Sequence, residues 1–394
     1  MTRQPPARLQ VPLLDLEPQY RALKAELDAA MLAVAESQHF ILGAAVRQLE
    51  ERVAAYCGAR FGIGVSSGTD ALLVSLLALD IGPGDAVITT PYTFFATAGA
   101  IVRAGARPLF ADIEAESFNI DPVAVERLLR DECDASGAAL VHRASGRRVR
   151  ALMPVHLYGQ AADMDRLGLI AARHGLAVIE DAAQAIGTEF RRRRVGSIGD
   201  TGCLSFFPTK NLGAFGDAGL VMTSDEALAA KLRMLRVHGM EPRYYHTLVG
   251  GNFRLDELQA AVLLVKLAHL DAWTARRQHN AAYYDAAIGR AGLIDRVRTP
   301  RVAADGRHVF NQYVVRVAGR DALRAWLAEA GVGTEIYYPV PLHRQQCFAD
   351  LGYAAGDFPE AERAAAETLA LPIHPDVTET QLQHVVDTMV AFYS

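Results

Sequence analysis

Short β-rich runs alternate with segments of helical periodicity over the first two-thirds of the chain. FGIGVSSGTDALLVSLLALDI has the pattern of a strand, a turn and a helix, and AVITTPYTFFATAGAIVRAG follows the same order. The runs RVRALMPVHLYG and GLAVIEDAAQAIG, with their flanking helices, continue it. Because parallel strands need crossover connections, this alternation predicts an α/β fold in which a mainly parallel sheet lies between helices.

The length of 394 residues predicts two domains, since a single apolar core stops growing at roughly 250–300 residues. After Gly250, four apolar residues have helical spacing: Leu255, Leu258, Val262 and Val265. We expect a long helix there that runs toward Ile288 and bridges the domains. We therefore predict a large domain over residues 1–255 and, over residues 256–394, the bridging helix and a smaller α+β domain.

Three segments beyond this helix have patterns of their own. HVFNQYVVRV is typical of a strand, and DALRAWLAEAG of a helix that ends at Gly331. ERAAAETLALPI has a second helical pattern, which we expect to stop before Pro372. These segments would build the smaller domain.

Composition argues against several classes of protein. The net charge of -5 and the absence of a basic stripe do not favour nucleic-acid binding, and the run Arg191–Arg194 is more typical of a solvated turn than of a polyanion site. The four cysteines lack C-x-x-C spacing, so we expect reduced thiols and no metal site. There is no signal-peptide core and no uncharged run of the roughly 20 residues that span a bilayer, which favours a cytoplasmic protein.

Lysine is scarce in this chain, and one of its four lysines stands apart. Lys210 follows CLSFFPT and precedes NLGAFGDAG, a strand that leads into a loop rich in glycine. Apolar neighbours such as Phe206 and Phe207 would lower its pKa from about 10.4 and make its amine nucleophilic. Such a lysine can hold pyridoxal phosphate (PLP) covalently, although an ordinary surface lysine in a loop would also fit this motif alone.

Asp181 in VIEDAAQAIG follows a β-rich run, where its carboxylate would face the ligand side of the sheet. PLP enzymes need a carboxylate against the pyridine nitrogen, because the protonated ring withdraws electrons from the substrate. If a helix begins at Asp181, Gln184 lies on the same side and could donate to the phenolic oxygen of the cofactor. The alternative is that Asp181 only caps a helix.

Other motifs lie at the ends of predicted strands. In SSGTDALLV, Gly68, Thr69 and Asp70 would form a cup whose free N–H groups bind a single phosphate. TTPYTFFATAG supplies three aromatic rings that could stack on a pyridine or simply pack in the core: Tyr92, Phe94 and Phe95. His156 in PVHLYG occupies the corresponding place after another strand, as a catalytic or a structural histidine.

Taken in order, SSGTDALL, TTPYTFFAT, PVHLYG, EDAAQAIG, SFFPTKNLGAFGDAG and GGNFRLDELQAA resemble motifs of the DegT/DnrJ/StrS sugar aminotransferases, which have the fold of type I PLP-dependent transferases. The resemblance extends from LLDLEPQY to LPIHP. The segment from about Asp131 to Arg150 is longer than the usual link before PVHLYG, and we assign it no function.

The resemblance implies a set of roles around PLP. Lys210 binds the cofactor covalently and moves the proton, Asp181 meets the pyridine nitrogen and Gln184 the phenolic oxygen. Phe94 stacks on the ring, and Ser205 joins Thr69 at the phosphate. Asn252 would reach the phosphate of the neighbouring subunit, so the active sites would be shared within a homodimer. The remaining matches, in EIYYPVPLH, would face the sugar: Tyr337, Tyr338 and His343.

The activity implied is transfer of an amino group from an amino acid, usually glutamate, to a keto-sugar carried on a nucleotide. NLGAFGDAG, with Asp217 between glycines where relatives acting at C4 commonly have GEGG, favours amination at C3 over C4. SFFPTKN, where such relatives often carry SFH, points the same way. A PLP-binding regulatory protein without turnover is a further alternative. A sugar dehydratase is disfavoured, because the relatives of that kind replace the lysine by histidine.

Overall fold

The computed structural model describes residues 6–136, 139–303 and 305–394. Residues 1–5, which begin the stretch expected to lack a signal-peptide core, and residues 137–138 of the long link lie outside this description. Over the described residues, no helix combines the length and the hydropathy that crossing a membrane requires.

The large lobe is built from alternating strands and helices. Its strands are β1 (Phe61–Val65), β2 (Asp85–Thr89), β3 (Arg107–Phe110), β4 (Cys133–Ser136), β5 (Ala139–His142), β6 (Arg147–Leu152), β7 (Ala177–Asp181), β8 (Glu189–Phe190), β9 (Arg193–Arg194), β10 (Thr201–Ser205) and β11 (Gly219–Thr223). Its helices are α1 (Glu17–Ser37), α2 (Ala44–Cys57), α3 (Gly68–Ala78), α4 (Ala96–Arg103), α5 (Pro122–Glu132), α6 (Met164–His174) and α7 (Glu226–Leu235).

The main sheet has the strand order β1-β11-β10-β7-β6-β2-β3. Neighbouring strands from β10 to β3 are parallel, and β11 alone in this order runs antiparallel to both of its neighbours. Helices α2, α5 and α6 pack on one face and α3, α4 and α7 on the other, each set with its own apolar cluster. The mainly parallel sheet between helices is therefore confirmed, and the carboxyl ends of its parallel strands meet at one edge.

The link over residues 131–150 extends this sheet. Strands β4 and β5 form an antiparallel pair, and β5 continues into an antiparallel pairing with β6. The additional residues of this link thus form paired antiparallel strands rather than an irregular loop.

The arginine run forms a second hairpin. Strands β8 and β9 are joined by Arg191 and Arg192, whose φ angles of 48° and 64° suit a two-residue turn. Nη1 of Arg191 and Nη2 of Arg193 contact the Asp165 carboxylate at 2.6 and 2.9 Å. The segment is a turn, as the sequence predicted, and its charges pair with acidic side chains of the same chain.

The second lobe begins with a break that the sequence did not predict. Its elements are α8 (Glu257–Leu267), α9 (Leu270–Arg290), β12 (Val297–Arg298), β13 (Gly306–Arg307), β14 (Tyr313–Val317), α10 (Arg320–Glu329), α11 (Pro359–Glu367), β15 (Thr368–Leu371) and α12 (Glu379–Tyr393). The expected single bridging helix is wrong. Leu263 of α8 joins the apolar core of the large lobe, whereas Tyr284 of α9 joins that of the small lobe, so the chain bends between the helices.

A second correction concerns ERAAAETLALPI. Its helix ends at Glu367 rather than before Pro372, and the next four residues form β15, which pairs antiparallel with β14. All four are buried, and the strand completes the three-stranded sheet β12-β14-β15. The strand over β14 and the helix α10 agree with the prediction. The domain boundary between residues 255 and 256 stays a prediction.

Candidate active site

Loops that follow β1, β2, β6, β7 and β10 converge at the carboxyl edge of the main sheet. They carry the candidate residues that the motifs indicated on the large lobe. The small lobe contributes the segment around Tyr337 and Tyr338, and the rings of Tyr338 and Phe94 have centroids 6.0 Å apart. The structure therefore brings the two groups of candidates together.

The phosphate cup is the first turn of α3. Ser67 caps this helix by accepting the backbone N–H of Asp70 at 3.0 Å, and the Asp70 carboxylate accepts the Ser66 and Ser67 hydroxyls. Asp70 is thus a residue that holds the cup in shape. The N–H groups of Gly68 and Thr69 begin the helix, where they have no acceptor within it. They remain the natural donors to an anion.

Two glycines keep this cup tight. A Cβ on Gly68 would lie 2.6 Å from the Cβ of Ser205, and one on Gly219 would lie 2.4 Å from the backbone of Ser67. The end of β10 and the start of β11 therefore press against the first turn of α3. This close approach brings Ser205 beside Gly68, as expected for two residues that serve one phosphate.

Lys210 lies in the loop over residues 206–218, which we call the lysine loop. Its backbone N–H donates to the Phe207 carbonyl at 2.9 Å, and its side chain is half-buried. Desolvation lowers the pKa of the ammonium group to about 8, although the nearby Asp181 carboxylate acts in the opposite direction. Phe206 is completely buried beneath the loop, whereas Phe207 is largely exposed.

Helix α8 holds the lysine loop from the outside. Gln259 accepts the Phe215 N–H through Oε1 at 2.8 Å, and Nζ of Lys266 donates to the Gly213 carbonyl at 2.7 Å. The Lys266 ammonium group also lies 4.6 Å from the centre of the Phe215 ring. These contacts fix the part of the loop that follows Lys210.

The lowered pKa of Lys210 predicts how the rate of PLP attachment to the cofactor-free protein depends on pH. Only the neutral amine is nucleophilic, so the rate of covalent attachment should rise with pH and level off above about 8. An ordinary lysine would keep gaining rate to beyond pH 10. Stopped-flow absorbance between pH 6 and 10 measures this, and a rate that still climbs steeply above pH 9 would contradict it.

Asp181 is the last residue of β7 and is 5% exposed. Its Oδ2 accepts the Thr97 hydroxyl at 2.8 Å and its Oδ1 the Ala183 N–H at 3.2 Å. Burial raises the pKa of this carboxyl, although both hydrogen bonds and the charge of Lys210 oppose the shift. Thr97, in the first turn of α4, was missed by the sequence analysis because a threonine in a helical pattern carries no signal of its own.

His156 does not reach the open site. It is completely buried, and its Nδ1 accepts the Ala162 N–H at 3.1 Å, which leaves Nε2 to donate to Glu180 at 2.9 Å. Burial alone would raise the pKa of Glu180, but the hydrogen bonds from His156 and from the Gly196 and Gly199 N–H groups lower it below its usual value. With both ring nitrogens occupied, His156 cannot touch substrate. The structure therefore does not support the catalytic role expected for His156. The residue instead supports the end of the strand that carries Asp181.

Gln184 lies in a turn after β7 and not on a helix, so the geometric reason given for its position is wrong. Its Oε1 accepts the Tyr158 N–H at 2.7 Å, and its Nε2 donates to the Tyr338 hydroxyl at 3.0 Å. One hydrogen of Nε2 remains for another acceptor. Phe94, by contrast, is 55% exposed, as a ring that must cover a bound planar molecule would be.

The small-lobe segment is anchored through a backbone carbonyl. The carbonyl of Tyr337 accepts the hydroxyls of Tyr92 and Tyr158, the former at 2.7 Å. His343 is buried, donates or accepts through Nε2 at 2.9 Å from Glu362, and packs on the Phe358 ring. Tyr338 therefore faces the site, whereas His343 lies behind it and does not face a sugar in this conformation.

Asn252 is exposed and lies far along the chain from the cup, in the segment between α7 and α8. Its backbone forms a bridge with Val237. Its proposed contact with the phosphate of the neighbouring subunit stays a prediction.

The residues present fit PLP. Free N–H groups lie in a cup that a Cβ at Gly68 would fill, an exposed ring belongs to the site, and a buried carboxylate lies near a half-buried lysine of lowered pKa. Lys210 would hold the cofactor, Asp181 its pyridine nitrogen, and Gly68, Thr69 and Ser205 its phosphate. When bound, PLP withdraws electrons from the substrate carbon and so stabilises the negative charge left by a departing proton.

Comparisons with known proteins place the chain in a family. A model of the DegT/DnrJ/EryC1/StrS aminotransferase family matches residues 21–390. A dTDP-3-amino-3,4,6-trideoxy-alpha-D-glucose transaminase of Streptomyces venezuelae is 42% identical over 379 residues, which are 96% of this chain and 95% of that protein. A pleiotropic regulatory protein of Geobacillus stearothermophilus is 50% identical over 386 residues, 98% of this chain and 99% of that one.

Among solved structures, the X-ray structure of S. venezuelae DesV in complex with a ketimine intermediate matches with a TM-score of 0.90 and 42% identity, and covers 97% of this chain and 98% of that chain. Fold and site thus define a PLP-dependent aminotransferase of fold type I. The chain belongs to the DegT/DnrJ/EryC1/StrS aminotransferase family. It is a PLP-dependent sugar aminotransferase, and the resemblance found in its motifs is confirmed.

Proposed function

We propose that this enzyme moves an amino group from glutamate to C3 of a nucleotide-linked 3-keto sugar. The observation that carries the proposal is Lys210, a half-buried amine of lowered pKa whose charge interacts with the Asp181 carboxylate. The relative from S. venezuelae, whose name specifies a 3-amino sugar product, supports C3. Asp217, exposed in the lysine loop, is the residue by which the sequence favours this carbon.

Each side chain has a defined task in the proposed reaction. The neutral amine of Lys210 would take the proton from the donor carbon and hold it, and in the acceptor half-reaction its protonated form would return a proton to the sugar carbon. Asp181 keeps a positive charge on the ring nitrogen, and Thr97 fixes the orientation of that carboxylate. Phe94 and Tyr338 cover the site and limit the access of water.

The carbon specificity has a direct test. The pyridoxamine form is mixed in single-turnover experiments with matched 3-keto and 4-keto sugars on the same nucleotide. We expect the 3-keto sugar to react at least about ten times faster, which corresponds to a difference of roughly 1.4 kcal/mol in activation free energy. Faster conversion of the 4-keto sugar would refute amination at C3 and leave the assignment as an aminotransferase unchanged.

A regulatory protein that binds PLP without turnover is the second candidate, favoured by the name of the relative from G. stearothermophilus. Mixing the PLP-loaded protein with glutamate separates the two. An active aminotransferase loses the absorbance of the lysine-bound cofactor as the pyridoxamine form accumulates, whereas a regulator without turnover does not accumulate that form.

We also propose a homodimer with shared active sites, supported by the exposed Asn252 and by its match to the family motif. Its cytoplasmic location stays a prediction. Inactive Lys210→Ala and Asn252→Ala proteins, refolded together, should regain activity toward a quarter of the wild-type value, because one hybrid site then holds both native residues. No recovery above the separate variants, or an active monomer by light scattering, would contradict the shared site.

A further inference from the structure

Lys266 is a buried lysine that the proposed reaction does not use. It lies in the last turn of α8 and is 6% exposed. Its ammonium group pairs with no carboxylate in the part of the chain that the structure describes, and burial lowers the pKa of this group to about 8. An amine buried without a counter-ion costs free energy, and a methionine would fill nearly the same space without that cost. Packing alone therefore does not account for a lysine at this position.

The amine of Lys266 holds the part of the lysine loop that returns to the sheet. Nζ donates to the carbonyl of Gly213 at 2.7 Å and lies 4.6 Å from the centre of the Phe215 ring. Gly213 is buried, and its carbonyl accepts from no other donor among the described residues. Because a buried carbonyl without a donor is unfavourable, this hydrogen bond fixes where Gly213 lies relative to α8.

Gly213 in turn lies against the backbone that leads to Lys210. A Cβ on Gly213 would lie 2.2 Å from the carbonyl oxygen of Pro208, so the two backbones are in direct contact. The next residue, Ala214, donates its N–H to the Phe206 carbonyl at 2.8 Å. Residues 206–208 and 213–214 thus run side by side, and Lys210 lies in the turn that joins them. A shift of Gly213 would pass through Pro208 to Lys210.

Helix α8 is itself held at its first turn. Glu257 is 4% exposed, and its carboxylate accepts the N–H groups of Gly43 and Val46, at the start of α2, at 2.8 and 3.2 Å. Leu263, one turn before Lys266, packs in the apolar core of the large lobe. The helix is therefore a fixed support from which Lys266 reaches the loop.

We propose that Lys266 is a positioning residue, which acts through the Gly213 carbonyl to keep the lysine loop in the conformation that directs Lys210 into the active site. The inference rests on the proposed role of Lys210 and adds the residue that sets its position. A displacement of about 1 Å at a reacting group can lower a rate by roughly 10²-fold. Loss of this hydrogen bond should therefore affect the chemistry of Lys210 more than the stability of the fold.

Lys266→Met tests the proposal, because it removes the donor and keeps an unbranched side chain of nearly the same length. Covalent attachment of PLP to the cofactor-free protein should slow at least about tenfold, since the amine of Lys210 is then less often in the reactive position. The pH at which this rate levels off should stay near 8, because burial and the Asp181 carboxylate set the pKa of Lys210. Stopped-flow absorbance between pH 6 and 10 measures both quantities.

Two further measurements distinguish positioning from a general structural role. Pyridoxamine phosphate binds without a bond to Lys210, so the affinity of the cofactor-free variant for it should change less than twofold. The thermal midpoint should move by less than about 4 °C, since the lost hydrogen bond and the relieved burial of an ammonium group act in opposite directions.

Lys231→Met is the matched control. Lys231 is half-buried on α7 and pairs with Asp80, just after α3, at 2.7 Å. Its replacement should leave the attachment rate, the affinity for pyridoxamine phosphate and the pH dependence unchanged.

An attachment rate of Lys266→Met within twofold of the wild type would overturn the proposal. A parallel loss of affinity for pyridoxamine phosphate would also overturn it, because Lys266 would then support the whole site rather than Lys210. If Lys266→Met does not fold, Lys266→Gln, whose side chain is polar and one bond shorter, makes the same comparison. Failure of every keto-sugar to react would refute the proposed function and leave these measurements valid, since none of them uses a sugar.

Discussion

Replacing Lys210 by alanine should lower transamination by at least about 10³-fold and abolish covalent attachment of PLP. General acid–base catalysis by one side chain contributes about 10²–10⁴-fold, and this variant also loses the anchoring bond. Folding should be preserved, since the side chain is only half-buried. Steady-state kinetics, the visible absorbance of the bound cofactor and the thermal midpoint measure the three effects.

Lys24→Ala is the matched control for this variant. Lys24 lies exposed on α1 and pairs there with Asp28, so its loss should change neither activity nor absorbance. Wild-type turnover in Lys210→Ala would show that the lysine takes no part in the reaction. A protein that no longer unfolds cooperatively would instead show that Lys210 holds the loop.

Asp181→Asn should reduce turnover about 100-fold or more while PLP remains attached, the scale on which one preorganised electrostatic partner acts. The amide has nearly the same shape but cannot hold the ring nitrogen protonated. It also removes the charge that raises the pKa of Lys210. The pH at which cofactor attachment levels off should therefore move below about 8, which a merely structural role of Asp181 would not produce.

Thr97→Val provides the graded comparison for Asp181. It removes one hydrogen bond to the carboxylate, of 2.8 Å, and leaves the charge in place, so its effect on turnover should be smaller than that of Asp181→Asn. If Asp181→Asn retained most of the activity at every pH, the carboxylate would not be the partner of the pyridine nitrogen.

The sequence predicted the large lobe better than the small one. Strands of a parallel sheet are buried on both faces, so their apolar runs and the turns after them stand out, and Asp181 and Lys210 could be placed at strand ends from these runs alone. In ERAAAETLALPI, by contrast, alanine and leucine suit a helix and a buried strand equally. Only the pairing with β14, which lies more than forty residues earlier, shows that a strand begins at Thr368.

The structural role of His156 could not be predicted for a related reason. Neighbouring residues of a strand point to opposite faces, so Glu180 and Asp181 enter different surroundings although they are adjacent in sequence. The partner of His156 is a residue that local patterns assign to the strand interior, 24 positions away along the chain. Polar pairs of this kind depend on the packing of two elements, which no local periodicity records.

The antiparallel strand β11 determines where the lysine loop begins and ends. Because β11 turns back beside β10, Ser205 and Gly219 are direct neighbours in the ladder, and the loop leaves and re-enters the sheet at a single place. Both ends of the loop are therefore held by the sheet, whereas Phe215 and Asp217 are exposed between them and are the positions open to replacement. Replacing these positions by the residues of a relative should leave the phosphate cup intact and change which sugar is accepted. Sugar specificity could then be altered by short local replacements, without redesign of the sheet.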